Sequence, residues 1–206
     1  MTIEKKFKIK DPGTFWSLQT IDQLGEFSLS TDEVTEVTDT YLDTRKRRLL
    51  AKGYSCCKRE LGKKARIILK KVDTDDDVSH QPKEWRVKLK KDTHDPADWP
   101  DSKVRTRVIK TIPEKKLQPI FVLRHTRITR SISKGNQVIA QANLDGVSLT
   151  VNGKERQFKT LKLKVTDPEQ EKQFKALIST LQSNWQLKPE PLSNFERALE
   201  MERGKP

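Results

Sequence analysis

The residues Thr2-Ile3-Glu4-Lys5-Lys6-Phe7-Lys8-Ile9 alternate between apolar and polar, the period of a strand that buries one face, with Thr2, Glu4, Lys6 and Lys8 on the polar side. Asp11-Pro12-Gly13 breaks this strand, and Phe15, Leu18, Ile21 and Leu24 then recur at helical spacing up to Gly25, predicting a short amphipathic helix. Glu26 to Thr44 is rich in Thr, Val, Phe and Tyr and reads as one long or bent strand pair. A basic helical turn, Arg45 to Lys52, closes at Gly53. Further strands are predicted at Tyr54 to Leu61, Ala65 to Val72 and Glu84 to Lys90, with Gly62-Lys63-Lys64 joining the first two. The stretches Asp73 to Gln81 and Asp92 to Asp101 read as polar connections.

Ser102 to Ile112 has the pattern of a basic helix that Pro113 ends. Strands resume at Ile120 to Ser133, Val138 to Leu144, Val147 to Val151 and Phe158 to Val165, with turns at Lys134-Gly135-Asn136 and Asn152-Gly153. Phe174, Leu177, Ile178 and Leu181 define one amphipathic helix, and Leu192, Phe195 and Leu199 a second. The pattern predicts an α+β fold: an antiparallel β-barrel or tunnel of about eight or nine strands with flanking helices. It is expected to occupy 1–206 as a single domain, with C-terminal helices over about 168–203.

Charge changes this picture most. The 42 Lys and Arg against 29 Asp and Glu give a net charge of +13, so an acidic partner is the first expectation: a polyphosphate, a nucleotide or nucleic acid. Several strands carry basic residues two apart, hence on one face, and Lys6, Arg59, Lys70, Arg127, Lys162 and Lys164 are the candidates to enter a barrel interior. Either they point into a wet bore that an anion neutralises, or the register is reversed and they face solvent. Thr160-Leu161-Lys162-Leu163-Lys164-Val165 favours the bore, because its leucines and valine need burial beneath covering helices.

Other chemistries find little support. His80, His94 and His125 lack metal-ligand spacing, and no Walker loop, dinucleotide fingerprint or nucleophile elbow is present. The two cysteines, Cys56 and Cys57, are adjacent and cannot staple distant segments, as expected of a reducing compartment. The N-terminus has no apolar signal core and no stretch approaches the roughly 20 apolar residues of a membrane span, so a cytoplasmic protein without membrane contact is expected.

Several short segments, in order along nearly the whole chain, resemble a known family. Ile3-Glu4-Lys5-Lys6-Phe7 is similar to the end of its opening Glu-x-Glu-x-Lys strand, and Tyr41-Leu42-Asp43-Thr44 to its Tyr-x-Asp-Thr segment before a basic turn. The similarity continues at Gly53 to Arg59, Ile68-Leu69-Lys70, Thr126-Arg127, Ala142-Asn143-Leu144-Asp145 and Ser193-Asn194-Phe195-Glu196-Arg197-Ala198-Leu199. Together these resemble the CYTH superfamily, the triphosphate tunnel metalloenzymes.

The resemblance implies an antiparallel tunnel in which basic residues grip a triphosphate while acidic ones hold Mg²⁺ or Mn²⁺. Carried over by position, Lys6, Arg59, Lys70 and Arg127 match the gripping residues, joined here by Lys162 and Lys164. Glu4, Glu84 and Asp145 match acidic positions as catalytic candidates, with Glu4 and Asp145 as metal ligands. The departures are Thr2 in place of the first glutamate, Cys57 in place of an arginine, and Lys162 and Lys164 where the family has a late Glu-x-Glu. A magnesium site draws on carboxylate oxygens beside the substrate's phosphates, so these departures point to an anion-binding protein with a degenerate metal site. An active metal-dependent triphosphatase and a nucleic-acid backbone binder are the alternatives.

Overall fold

The computed structural model of the protein describes residues 3–72, 83–113, 116–151, 153–165 and 167–204; Thr2, the Asp73 to Gln81 loop and Asn152 lie outside them. In chain order the elements are β1 (Glu4–Ile9), α1 (Pro12–Thr20), β2 (Gln23–Leu24), β3 (Phe27–Leu29), β4 (Glu33–Asp43), α2 (Arg48–Ala51), β5 (Tyr54–Leu61), β6 (Lys64–Lys71), β7 (Glu84–Lys88) and α3 (Lys103–Thr111). They continue as β8 (Gln118–Lys134), β9 (Gln137–Val151), β10 (Lys154–Val165), α4 (Glu171–Asn184), β11 (Lys188–Pro189) and α5 (Asn194–Glu202). The chain forms two compact units: Met1–Glu36, His125–Ser148 and Arg156–Asn194 make the first, and Val37–Arg124, Leu149–Glu155 and Phe195–Pro206 the second.

In the first unit the strands follow the order β11, β1, β10, β9, β8, with β3 on β8 and β2 on β3; in the second they follow β4, β5, β6, β7. The strands number eleven among the described residues, more than the eight or nine expected, and the hydrogen-bonded order has two ends rather than closing into a ring. β3 and β4 fall within the strand pair expected over Glu26 to Thr44, whereas β2 and β11, of two residues each, are too short to show an alternation. Conversely, the two strands expected at Val138 to Leu144 and Val147 to Val151 are one, because Gly146 continues extended past Phe15 of α1 without breaking the ladder.

Local chemistry sets the boundaries. Asp11 caps α1 by accepting from the Thr14 amide at 2.6 Å, and Pro12 starts the helix, but Ile21 is extended. The expected continuation to Leu24 is therefore lost, and Leu24 instead pairs with Phe27 around Gly25, whose φ is +58°. Gly62, Gly135 and Gly153 likewise take positive φ at the tips of the β5–β6, β8–β9 and β9–β10 connections, as hairpin turns require. Ser102 caps α3 through the Arg105 amide at 3.1 Å. Asp43 and Thr44 build the turn into α2: Asp43 accepts from the amides of Thr44, Leu49 and Leu50, and Thr44 from that of Arg48.

Each unit buries one sheet face under helices. In the first, Phe7, Ile9, Ala142, Leu144, Leu161, Leu163 and Val165 pack with Leu18 of α1 and Phe174, Leu177 and Leu181 of α4. In the second, Leu42, Cys56, Ile67 and Leu69 pack with Val104, Val108 and Ile112 of α3 or its end and with Trp99. Removal of such apolar area from water is what holds the layers together.

Candidate functional site

Because strand side chains alternate, burying Phe7, Leu161, Leu163, Ala142 and Leu144 under the helices turns their neighbours to the opposite face of the first unit's sheet. That face carries Glu4, Lys6 and Lys8 on β1, Thr160, Lys162 and Lys164 on β10, Asn143 and Asp145 on β9, and Arg127 and Thr129 on β8. Across β1 and β10, Glu4 stands opposite Lys164, Lys6 opposite Lys162 and Lys8 opposite Thr160. The Lys162 ammonium lies 2.8 Å from a Glu4 carboxylate oxygen. Arg127 donates from Nε and Nη2 to the two oxygens of buried Asp145, at 2.6 and 2.8 Å. Thr129 Oγ1 and Asn143 Oδ1 stand 2.9 Å apart, and Lys6 donates to Leu192 O at 2.9 Å and Asn194 Oδ1 at 2.8 Å.

The second unit repeats the logic. With Leu42, Cys56, Ile67 and Leu69 under α3, the opposite face carries Asp39 and Tyr41, then Cys57 and Arg59, then Arg66 and Lys70, and finally Glu84, Arg86 and Lys88. Asp39, fully buried, receives Arg59 Nε at 2.7 Å and Nη2 at 2.6 Å, a planar fork that fixes the guanidinium. Burial works against the charged Arg59, and the hydrogen bonds and charge of Asp39 more than offset it, so its pKa stands above the ordinary arginine value. Burial, then the Asp39 charge, pushes the Cys57 thiol upward and keeps it protonated. Tyr41 packs on Phe121 and on Phe195 of α5, at centroid separations of 5.1 and 5.0 Å. Glu84 pairs with Arg86 on its own strand and stands opposite Lys70.

All nine candidate residues thus lie on sheet faces turned away from α1 and α4 in the first unit, which carries Glu4, Lys6, Arg127, Asp145, Lys162 and Lys164, and away from α3 in the second, which carries Arg59, Lys70 and Glu84. Each of the three acids is paired with a cation, Glu4 with Lys162, Asp145 with Arg127 and Glu84 with Arg86. Among the described residues no three His, Cys, Asp or Glu side chains gather into a metal-holding group. The vicinal cysteines divide as strand alternation requires, Cys56 into the core and Cys57 onto the polar face. Sequence reasoning missed Asp39, although it sits two residues before Tyr41 on the same face. It also missed Asn143, Thr129 and Asn194, whose roles depend on register and on a contact from 188 positions away.

Comparison with known proteins places this arrangement. The family model of the CYTH domain matches residues 1–197. No curated protein matches the chain. Among solved structures, the Hippeastrum protein HpAC1, described as an adenylyl cyclase candidate with a dominant triphosphatase activity, superposes with a TM-score of 0.71 at 18% identity, over 100% of this chain and 97% of its own. An adenylate cyclase candidate from Bacillus halodurans gives 0.61 at 20% identity, covering 94% of each chain. The PH1819 protein of Pyrococcus horikoshii gives 0.53 at 14% identity, over 97% and 99%. No helix among the described residues is long and apolar enough to cross a membrane. These structures share the fold, an antiparallel sheet flanked by helices, and the domain model over residues 1–197 makes the chain a member of the CYTH family.

Proposed function

We propose that the protein binds a triphosphate or a related phosphate-rich anion through cations of its polar sheet faces, the candidates being Lys6, Arg127, Lys162 and Lys164 on the first unit and, taken separately, Arg59 and Lys70 on the second, and that it does so without a metal centre built from its own carboxylates. The observation that carries this reading is the pairing of every candidate acid with a cation on its own sheet face. Magnesium and manganese draw on carboxylate oxygens, and here Asp145 has both of its oxygens on Arg127 while Glu4 has one on Lys162. Lys6 also stands directly opposite Lys162, and like charges directly opposite each other across two strands disfavour one another. An anion relieves that repulsion, whereas a divalent cation adds to it. The residues present therefore do not fit the metal that the family implies.

A second reading, hydrolysis, takes its support from HpAC1, whose description names a dominant triphosphatase activity. In that reading the cations hold the phosphates, and Glu4, exposed enough to exchange partners, is the group that would orient water.

The lysines on β10 separate a binding face from mere surface charge. Reversing them with Lys162→Glu and Lys164→Glu is expected to weaken tripolyphosphate binding by about 100-fold, tenfold for each reversed charge, as read by isothermal titration. The same variant should gain Mn²⁺ affinity, since Glu4 would then stand beside two further carboxylates. Unchanged anion affinity would mean that the pair lies on a solvated surface and takes no part in a site.

A further inference from the structure

Val104, Val108 and Ile112 fix the face of α3 that meets the second unit's sheet, and a turn of about 100° per residue then points Lys103, Thr106 and Lys110 away from it. α2 packs beside α3, with Leu49 in the same apolar cluster, and with the turn before it exposes Arg45, Lys46, Arg48 and Lys52. Among the described residues no carboxylate pairs with Arg45, Lys46, Arg48, Lys52, Lys103 or Lys110. The acids at this surface are already taken, Asp101 by Arg105 and Glu202 by Arg47, while Asp43 is buried against the α2 amides. Apolar side chains are exposed on the same two helices: Ile109 is 41% exposed on α3, and α2 adds Ala51. Unpaired cations beside exposed apolar groups fit a partner that offers anions and hydrocarbon together.

We propose that the outer surface of α2 and α3 docks on an anionic lipid bilayer, its lysines and arginines meeting the charged headgroups and Ile109 entering the boundary between headgroups and acyl chains. A protein that lies on a bilayer needs no spanning segment, so the want of one does not bear on this surface. The surface is separate from the proposed anion site, whose candidates in this unit, Arg59 and Lys70, occupy the sheet face turned away from α3. A nucleic-acid backbone would satisfy the cations but leave Ile109 without a partner. Trp85, beside α3, is already covered by the Arg107 guanidinium at 4.1 Å and offers no open ring on which a base could stack.

The test sediments the full chain, at one fixed salt concentration, with vesicles of phosphatidylcholine alone and of phosphatidylcholine mixed with phosphatidylserine. Wild type is expected to bind the anionic vesicles and to leave the neutral ones. Each cation near such a surface changes partitioning by about fivefold, so Lys52→Gln/Lys103→Gln/Lys110→Gln should weaken binding by about 100-fold. Lys63→Gln/Lys172→Gln/Lys188→Gln removes the same charge from exposed lysines elsewhere and should weaken it by less than about fivefold. Ile109→Ser should weaken it by about fivefold through lost apolar contact. All these positions are exposed, and thermal melts confirm that each variant folds. No binding to either vesicle, equal binding to both, or equal losses in the two lysine triples would overturn the proposal. An Ile109→Ser variant that binds like wild type, with release from the vesicles by duplex DNA at equal phosphate concentration, would overturn it in favour of a nucleic-acid partner. Tripolyphosphate affinity of the Lys52/Lys103/Lys110 variant should stay within about twofold of wild type. Loss of tripolyphosphate binding in wild type would remove the proposed function and leave the vesicle result standing, so the two fail separately.

Discussion

Arg59→Ala is expected to destabilise the protein by about 3–5 kcal/mol, because it removes the guanidinium that both oxygens of a fully buried carboxylate engage. Arg59 itself is 29% exposed on its side chain, so the loss comes less from the pair's own attraction than from leaving Asp39 charged in a place with little water. For a chain of this size the melting temperature should fall by roughly 6–20 °C. Asp39→Asn in the same chain removes the stranded charge and should recover more than half of the loss, a coupling of about 2 kcal/mol or more in a double-mutant cycle. Arg59→Lys keeps the charge but cannot form the fork, so it should fold better than the alanine variant and still bind tripolyphosphate poorly. A single-variant loss below about 1 kcal/mol would show that Asp39 does not depend on this partner.

Arg130→Met should have an effect of similar size with the opposite functional signature. Arg130 is 3% exposed and lies on the helix-covered side of β8. It donates to the carbonyls of Ser30 at 2.6 Å, Gln19 at 2.9 Å and Ile21 at 2.6 Å, and reaches the Asp22 carboxylate at 3.1 Å. One side chain thereby satisfies the carbonyls at the end of α1 and secures the link to β3. Methionine approximates its apolar stem but leaves those acceptors empty, at an expected loss of about 3–5 kcal/mol. Hydrogen exchange at the Leu29 and Ser30 amides, which bond Asp22 O and Ser131 O, should accelerate most. Tripolyphosphate affinity of the folded protein should hardly change, since Arg130 is not on the polar face. A loss of affinity matching that of Arg59→Ala would contradict this division between the two faces.

The two arginines show how far the sequence could be read. Strand periodicity alone placed Lys162 and Lys164 opposite Leu161, Leu163 and Val165, because an apolar set of period two leaves the intervening residues one direction only. The hairpin glycines were legible for a similar local reason, positive φ at a tight turn. What was not legible depends on register. Nothing in Thr38-Asp39-Thr40 marks Asp39 as the anchor of Arg59, since the pairing of β4 with β5 decides it. Arg130 reads on its strand like any surface cation, and its carbonyl partners come from a segment about 110 residues away. Glu4 and Asp145 were read as metal ligands by position in a motif, and the cations that occupy them come from neighbouring strands. The short strands β2 and β11 are not legible because two residues carry no period.

In the proposed function cations, and no metal, hold the phosphates. Tripolyphosphate titrated into the protein first with a chelator and then with excess Mn²⁺, while released phosphate is monitored, tests that most directly. Affinity within about threefold in the two conditions, with turnover far below the order of one per second, is the predicted result. Binding that vanishes in chelator and turnover of about 1–100 per second with Mn²⁺ would contradict it.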